Sequence, residues 1–140
     1  NDELKYNKNS KMHFGSEGLV STMNDYSNFC EMLVNNGVFK GKKIIDPKSI
    51  EMMTNPYTKK RIEYGFYSGF DYGYSFFNLQ NPILDGTSSS KGIFGWSGYH
   101  NTHFWIDPKK KLYCLFMTRT TPFSSDLQRS LRSSIYSKIN

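Results

Sequence analysis

Two cysteines in 140 residues are too few for a disulfide framework. Cys30 in "NFCEML" and Cys114 in "LYCLFM" each sit in an apolar run, where a buried thiol is ordinary. That usage favours a reducing, intracellular compartment. Long apolar runs are missing as well. No stretch approaches the roughly 20 residues that span a bilayer, and the polar start "NDELKYNKNSKMHF" holds no signal-peptide core. No membrane partner is expected, and any targeting segment is expected to lie outside this chain. His100 and His103 straddle a turn and a strand start, with neither a cysteine nor a carboxylate beside them to complete a zinc set. No metal and no cofactor is expected. Internal repeats are absent.

Acidic residues are also scarce, 12 against 18 basic ones, which gives a net charge of +6 and a pI near 9.3. Such a balance permits a nucleic-acid or anionic-surface partner. The lysines, however, are dispersed in "KGKK", "KKR" and "PKKK", each beside turn residues, the pattern of solvated loops. The aromatics follow strand periodicity and no nucleic-acid module is present, so no nucleic-acid partner is expected.

Aromatic residues are abundant. They make up 16% of the chain, with ten Tyr and eleven Phe, and imply a folded domain despite a mean hydropathy of -0.61. The length suits one domain with a modest core. Residues 1–15 are polar and without period, a linker or loop, and 16–140 form the domain. In "TMNDYSNFCEMLVNNG" Tyr26, Phe29, Cys30, Leu33 and Val34 recur at helical spacing after Thr22 as N-cap, predicting a helix over about 23–36. "DPKSIEMM" predicts a second over about 47–54, with Asp46 capping and Pro47 at the first position. Strand spacing takes over at about 70–119, in "FDYGYSFFNL", "GIFGWSG", "THFWI" and "LYCLFMT", with a turn at "DPKKK". The terminal "SSDLQRSLRSSIYSKIN" predicts a helix over about 124–138, its Leu127, Leu131 and Ile135 stripe laid on the sheet. The predicted class is α+β, an antiparallel meander flanked by helices.

The segment "GIFGWSGYHNTHFWIDPKKK" stands apart. Glycine weakens a strand unless another backbone or a ligand must come close, yet Gly95 and Gly98 flank Trp96 and Ser97. Trp105 reads as core packing; Trp96 reads either as core filler or as the wall of a site.

The order "GSEGLVSTMNDYSNFCEMLVNNGVFKGKKIIDPKSIEMMT", "FGWSGYHNTHFWIDPKKKLYCLFMT" and a terminal amphipathic helix resembles the C-terminal part of the serine β-lactamase-related superfamily. It is most similar to the class C β-lactamases and their esterase relatives. The resemblance implies a β-lactamase/transpeptidase-like fold and acyl-enzyme chemistry, with a serine in Ser-x-x-Lys, a Tyr-x-Asn motif, and a third motif, typically Lys-Thr-Gly, on a strand bordering the site. Trp96, Ser97 and Gly98 fall at that third motif, and by resemblance the amide of Tyr99 is an oxyanion donor. Tryptophan in place of lysine resembles the esterase-like members. Ser88-x-x-Lys91 lies in the loop "DGTSSSKG", Tyr26-x-Asn28 falls on a predicted helix and Tyr99-x-Asn101 in a turn. None matches the family's placement, so the nucleophile and bases are expected upstream of Asn1. The chain is then a C-terminal fragment, inactive alone, of a hydrolase for a small-molecule ester, amide or peptide. Its partners would be the missing N-terminal part of the protein and, through an open sheet edge, further copies of itself. The alternative is a non-catalytic binding or assembly protein on the same scaffold.

Overall fold

The computed structural model describes residue 11 and residues 19–58 and 68–139; apart from Lys11, the linker expected over 1–15 lies outside the described residues. Helix α1 (Met23–Val34) starts where the Thr22 hydroxyl accepts the Asp25 N–H at 3.1 Å. It ends two residues short of the predicted 36, because Asn36 and Gly37 take left-handed φ angles of 53° and 92°. A short hairpin not foreseen from the sequence follows, β1 (Val38–Phe39) with β2 (Lys42–Lys43), turned by Lys40 and Gly41 at positive φ. Helix α2 (Pro47–Thr54) is capped by Asp46, whose carboxylate accepts the Lys48 N–H at 2.9 Å.

The remaining strands form one five-stranded antiparallel sheet in sequence order: β3 (Phe70–Tyr72), β4 (Phe77–Leu79), β5 (Phe94–Ser97), β6 (His103–Asp107) and β7 (Leu112–Phe116). A one-turn helix, α3 (Pro82–Asp85), interrupts the meander between β4 and β5, and α4 (Ser125–Ile139) closes the chain. This is the α+β arrangement predicted. Asp107 holds the turn between β6 and β7, its Oδ1 accepting the amides of Lys109 and Lys110 at 2.9 and 3.0 Å.

Strand alternation sorts the core into two layers. Phe94, Phe104 and Ile106 pack towards Cys30, Leu33 and Ile50 of α1 and α2. Phe77, Leu79 and Trp105 pack towards Tyr136 of α4. Trp105 is fully buried, the core role anticipated for it, and burial of such a side chain contributes about 2–3 kcal/mol.

Helix α4 departs from the reading of its sequence. Of the predicted inward stripe, Leu131 and Ile135 are half-buried and pack against the layer of Phe77 and Trp105, whereas Leu127 is exposed, and the most buried positions are their neighbours Gln128, Arg132 and Tyr136. The facing sheet explains this placement. It presents His103 and Asp107, both buried, and buried polar groups require partners. The Tyr136 hydroxyl donates to Asp107 Oδ2 at 2.6 Å and Arg132 reaches His103, so a polar stripe on α4 satisfies a polar stripe on β6.

Candidate active site

The strand end Trp96–Gly98 occupies the middle of the sheet without being covered on both sides. Strand β4 pairs only with Phe94 and Gly95, at Asn78 and Phe77, whereas β6 accompanies β5 as far as Ser97. Among the described strands, the outer half of β5 thus runs past its neighbour. The two glycines around it have separate reasons. A Cβ on Gly95 would stand 2.0 Å from the Phe104 carbonyl oxygen and 2.8 Å from Trp105 Cα, so only glycine lets β5 and β6 approach this closely. A Cβ on Gly98 would stand 2.2 Å from Thr102 Oγ1 inside the turn that joins them, where Gly98 N–H donates to the Thr102 carbonyl at 2.8 Å.

Trp96 is 48% exposed and meets the Tyr72 ring at 5.9 Å, edge to face. With Tyr26, Phe104, Leu115 and Met117 it lines a cavity of about 510 Å³ that Ser97, Gly98 and Thr102 also border. Tyr99 is exposed beyond it. Trp96, Ser97 and Gly98 therefore border the cavity together, and Tyr99 follows them in the turn, exposed.

The sequence matches to Ser-x-x-Lys and Tyr-x-Asn do not assemble into a nucleophile and its base. Ser88 and Lys91 are both exposed in the loop after α3, not on a helix. Tyr26 packs edge-on against Phe29 and Phe104, and burial pushes its hydroxyl up to about 12, with Cys30 adding to the effect, so it holds its proton. Asn101 is buried, its amide donating to the Thr120 and Pro122 carbonyls, both at 3.0 Å, and its Oδ1 accepting the Ser124 N–H at 2.7 Å. Those bonds tie the β5–β6 turn to the start of α4.

A connected set of polar groups behind Ser97 was not recognisable in the sequence. The Asp85 carboxylate accepts from Arg132 at two points, Nη2 at 2.7 Å and Nε at 3.2 Å, with both residues buried. Arg132 Nη1 stands 3.1 Å from His103 Nε2. The other ring nitrogen, Nδ1, lies 2.8 Å from Ser97 Oγ and 3.2 Å from the Trp96 carbonyl oxygen. Ser97 Oγ in turn donates to Gln128 Oε1 at 3.0 Å. Burial and then the Arg132 charge pull His103 down to about 3, against a smaller opposing effect of the Trp96 carbonyl. The imidazole is neutral. Five residues scattered over 85–132 meet here, a juxtaposition that no local spacing announces.

A beta-lactamase family profile matches residues 2–134. The chain belongs to the beta-lactamase family. Protein Rv1367c of Mycobacterium tuberculosis (strain ATCC 25618 / H37Rv) is 26% identical over 114 residues, covering 75% of this chain and 28% of that protein. The chain thus spans little more than a quarter of that relative. Among solved structures, EstCE1, described as a hydrolase with promiscuous acyltransferase activity, aligns with a TM-score of 0.63 at 21% identity, over 76% of this chain and 27% of its own. Simvastatin synthase (LovD) from Aspergillus terreus aligns at 0.61 and 18%, over 81% and 33%. At these identities the likeness establishes the shared fold. The beta-lactamase family chain carries the region around Trp96–Gly98 with an uncharged cavity wall among its described residues.

Proposed function

We propose that the chain forms one wall of the acyl-transfer site of a serine hydrolase acting on an ester, amide or peptide, whose nucleophile and bases stand on polypeptide outside these 140 residues. The observation that carries this reading is the free outer half of β5 beside the apolar cavity. An extended substrate can lie along the strand's backbone there, with Trp96 against its apolar part and the Tyr99 amide as oxyanion donor. EstCE1, a hydrolase with promiscuous acyltransferase activity, supports hydrolytic and acyl-transfer chemistry on this scaffold.

Ser97 is not the nucleophile in this reading. A serine attacks when a neighbouring base takes its proton, yet the Ser97 proton is committed to Gln128 and the adjacent imidazole, whose Nε2 faces the Arg132 guanidinium, is itself a donor at Nδ1. The test compares two polypeptides. The 140-residue chain is expected to leave nitrophenyl butyrate at its background rate of hydrolysis. A longer polypeptide that adds a helix opening with Ser-x-x-Lys is expected to turn it over, with Trp96→Ala lowering kcat/KM about tenfold through lost aromatic contact. Turnover by the short chain that vanishes in Ser88→Ala would overturn the proposal. A correctly folded longer polypeptide without turnover would favour the binding or assembly role.

The partner expectation becomes a proposal on the same footing. No described strand pairs with the outer edge of β7, and its five residues are only half-buried. That edge is a template for another strand, from the same protein or from a second copy.

A further inference from the structure

The hydrogen-bond chain behind Ser97 has only one consistent set of donors. A guanidinium carries no acceptor and keeps its protons, so His103 Nε2, 3.1 Å from Arg132 Nη1, must offer its lone pair. Arg132 cannot turn away, because Asp85 engages it at Nη2 and Nε in a buried pair. A neutral imidazole then carries its single proton on Nδ1, which points at Ser97 Oγ and the Trp96 carbonyl together. With that proton donated, the Ser97 hydroxyl accepts from the ring and passes its own proton to Gln128. The polarity runs one way, from Asp85-bound Arg132 through His103 and Ser97 to α4.

We propose that His103 is a positioning residue of the candidate site: held in the Nδ1–H tautomer by Arg132 and Asp85, it clamps the Ser97 hydroxyl and the Trp96 carbonyl and so fixes the strand end that borders the cavity. The inference rests on the reading of Trp96–Gly98 as a site wall, and it names what holds that wall. Pairing with β4 stops at Gly95, so that strand cannot hold the segment from its side. His103 and Trp96–Ser97 lie on adjacent strands, with His103 directly across from Ser97, so the ring braces the last paired position of β5. The brace is built from α3, β6 and α4, none of which contributes through local sequence.

Long-range proton–nitrogen NMR on the unmodified chain reads the tautomer. Nδ1 protonated and Nε2 bare at pH 7 is the expected result; the reverse tautomer, or a doubly protonated ring, would overturn the proposal. Two variants separate positioning from general support. The side-chain nitrogen of Asn superposes on Nδ1, so His103→Asn keeps the donor to Ser97, whereas Gln reaches Arg132 but not Ser97. Amide exchange at Gly98, whose N–H bonds Thr102, is expected to quicken about tenfold in His103→Gln and to stay within about twofold in His103→Asn, while Leu115 on β7 is unmoved in both. Equal acceleration in both variants, or none in either, would refute the clamp. These readouts need no turnover, so a hydrolase assay that fails leaves them standing, and a wrong tautomer leaves the hydrolase reading standing.

Discussion

Burial of His103 makes the fold sensitive to acid. The ring is 2% exposed and neutral, with its pKa down at about 3 from an ordinary 6.5, chiefly through burial and then through Arg132. In the unfolded chain the same imidazole protonates near 6.5. Below that pH the unfolded state binds one more proton than the native state, so this contribution to stability is complete above pH 6.5 and falls with pH until the native ring also protonates. The slope is about 1.4 kcal/mol per pH unit. Between pH 6.5 and 4.5 the loss amounts to about 3 kcal/mol, a large part of the ~5–15 kcal/mol typical of a domain. Asp46, held below its ordinary 3.8 by the Lys48 amide and then by Lys43, loses its contribution as pH falls too, but only through the carboxylate range. Urea unfolding at half-unit steps from pH 7 to 4.5 measures the slope. His103→Asn has nothing to titrate at this position and is expected to flatten the slope by about 1 kcal/mol per unit or more. Identical slopes in the two proteins, or an imidazole that titrates near 6.5 by NMR, would refute the burial argument.

Gly95→Ala places a methyl 2.0 Å from the Phe104 carbonyl oxygen; prising β5 from β6 is expected to cost about 3 kcal/mol or more, and a thermal melt unchanged within about 2 °C would show that the strands yield freely. Sedimentation velocity over a hundredfold concentration range is expected to show self-association through the β7 edge, weakened by Leu115→Lys; a monomer at all concentrations would dismiss the open edge as an association site.

What the sequence by itself determined is local. The caps at Thr22 and Asp46, the stop at Asn36–Gly37 and the Asp107 turn are each made by residues within a few positions of one another, so type and spacing suffice to read them. The alternation that divides Phe94 and Phe104 from Phe77 and Trp105 is likewise a period of two along each strand. The segment around Trp96–Tyr99 stood out in the sequence because Gly95 and Gly98 violate strand preference, and for Gly95 the reason is the neighbouring backbone of β6. Tertiary structure alone decided which face of α4 turns inward. Apolar periodicity selects Leu127, Leu131 and Ile135, but buried His103 and Asp107 require partners, and leaving buried polar groups unpaired costs more than exposing Leu127 and half-exposing Leu131 and Ile135. The same demand joins Asp85, Arg132, His103, Ser97 and Gln128 across two helices and two strands. Hydrogen bonds between residues as much as 47 positions apart leave no period in a sequence, because their geometry exists only once the sheet and its last helix have met.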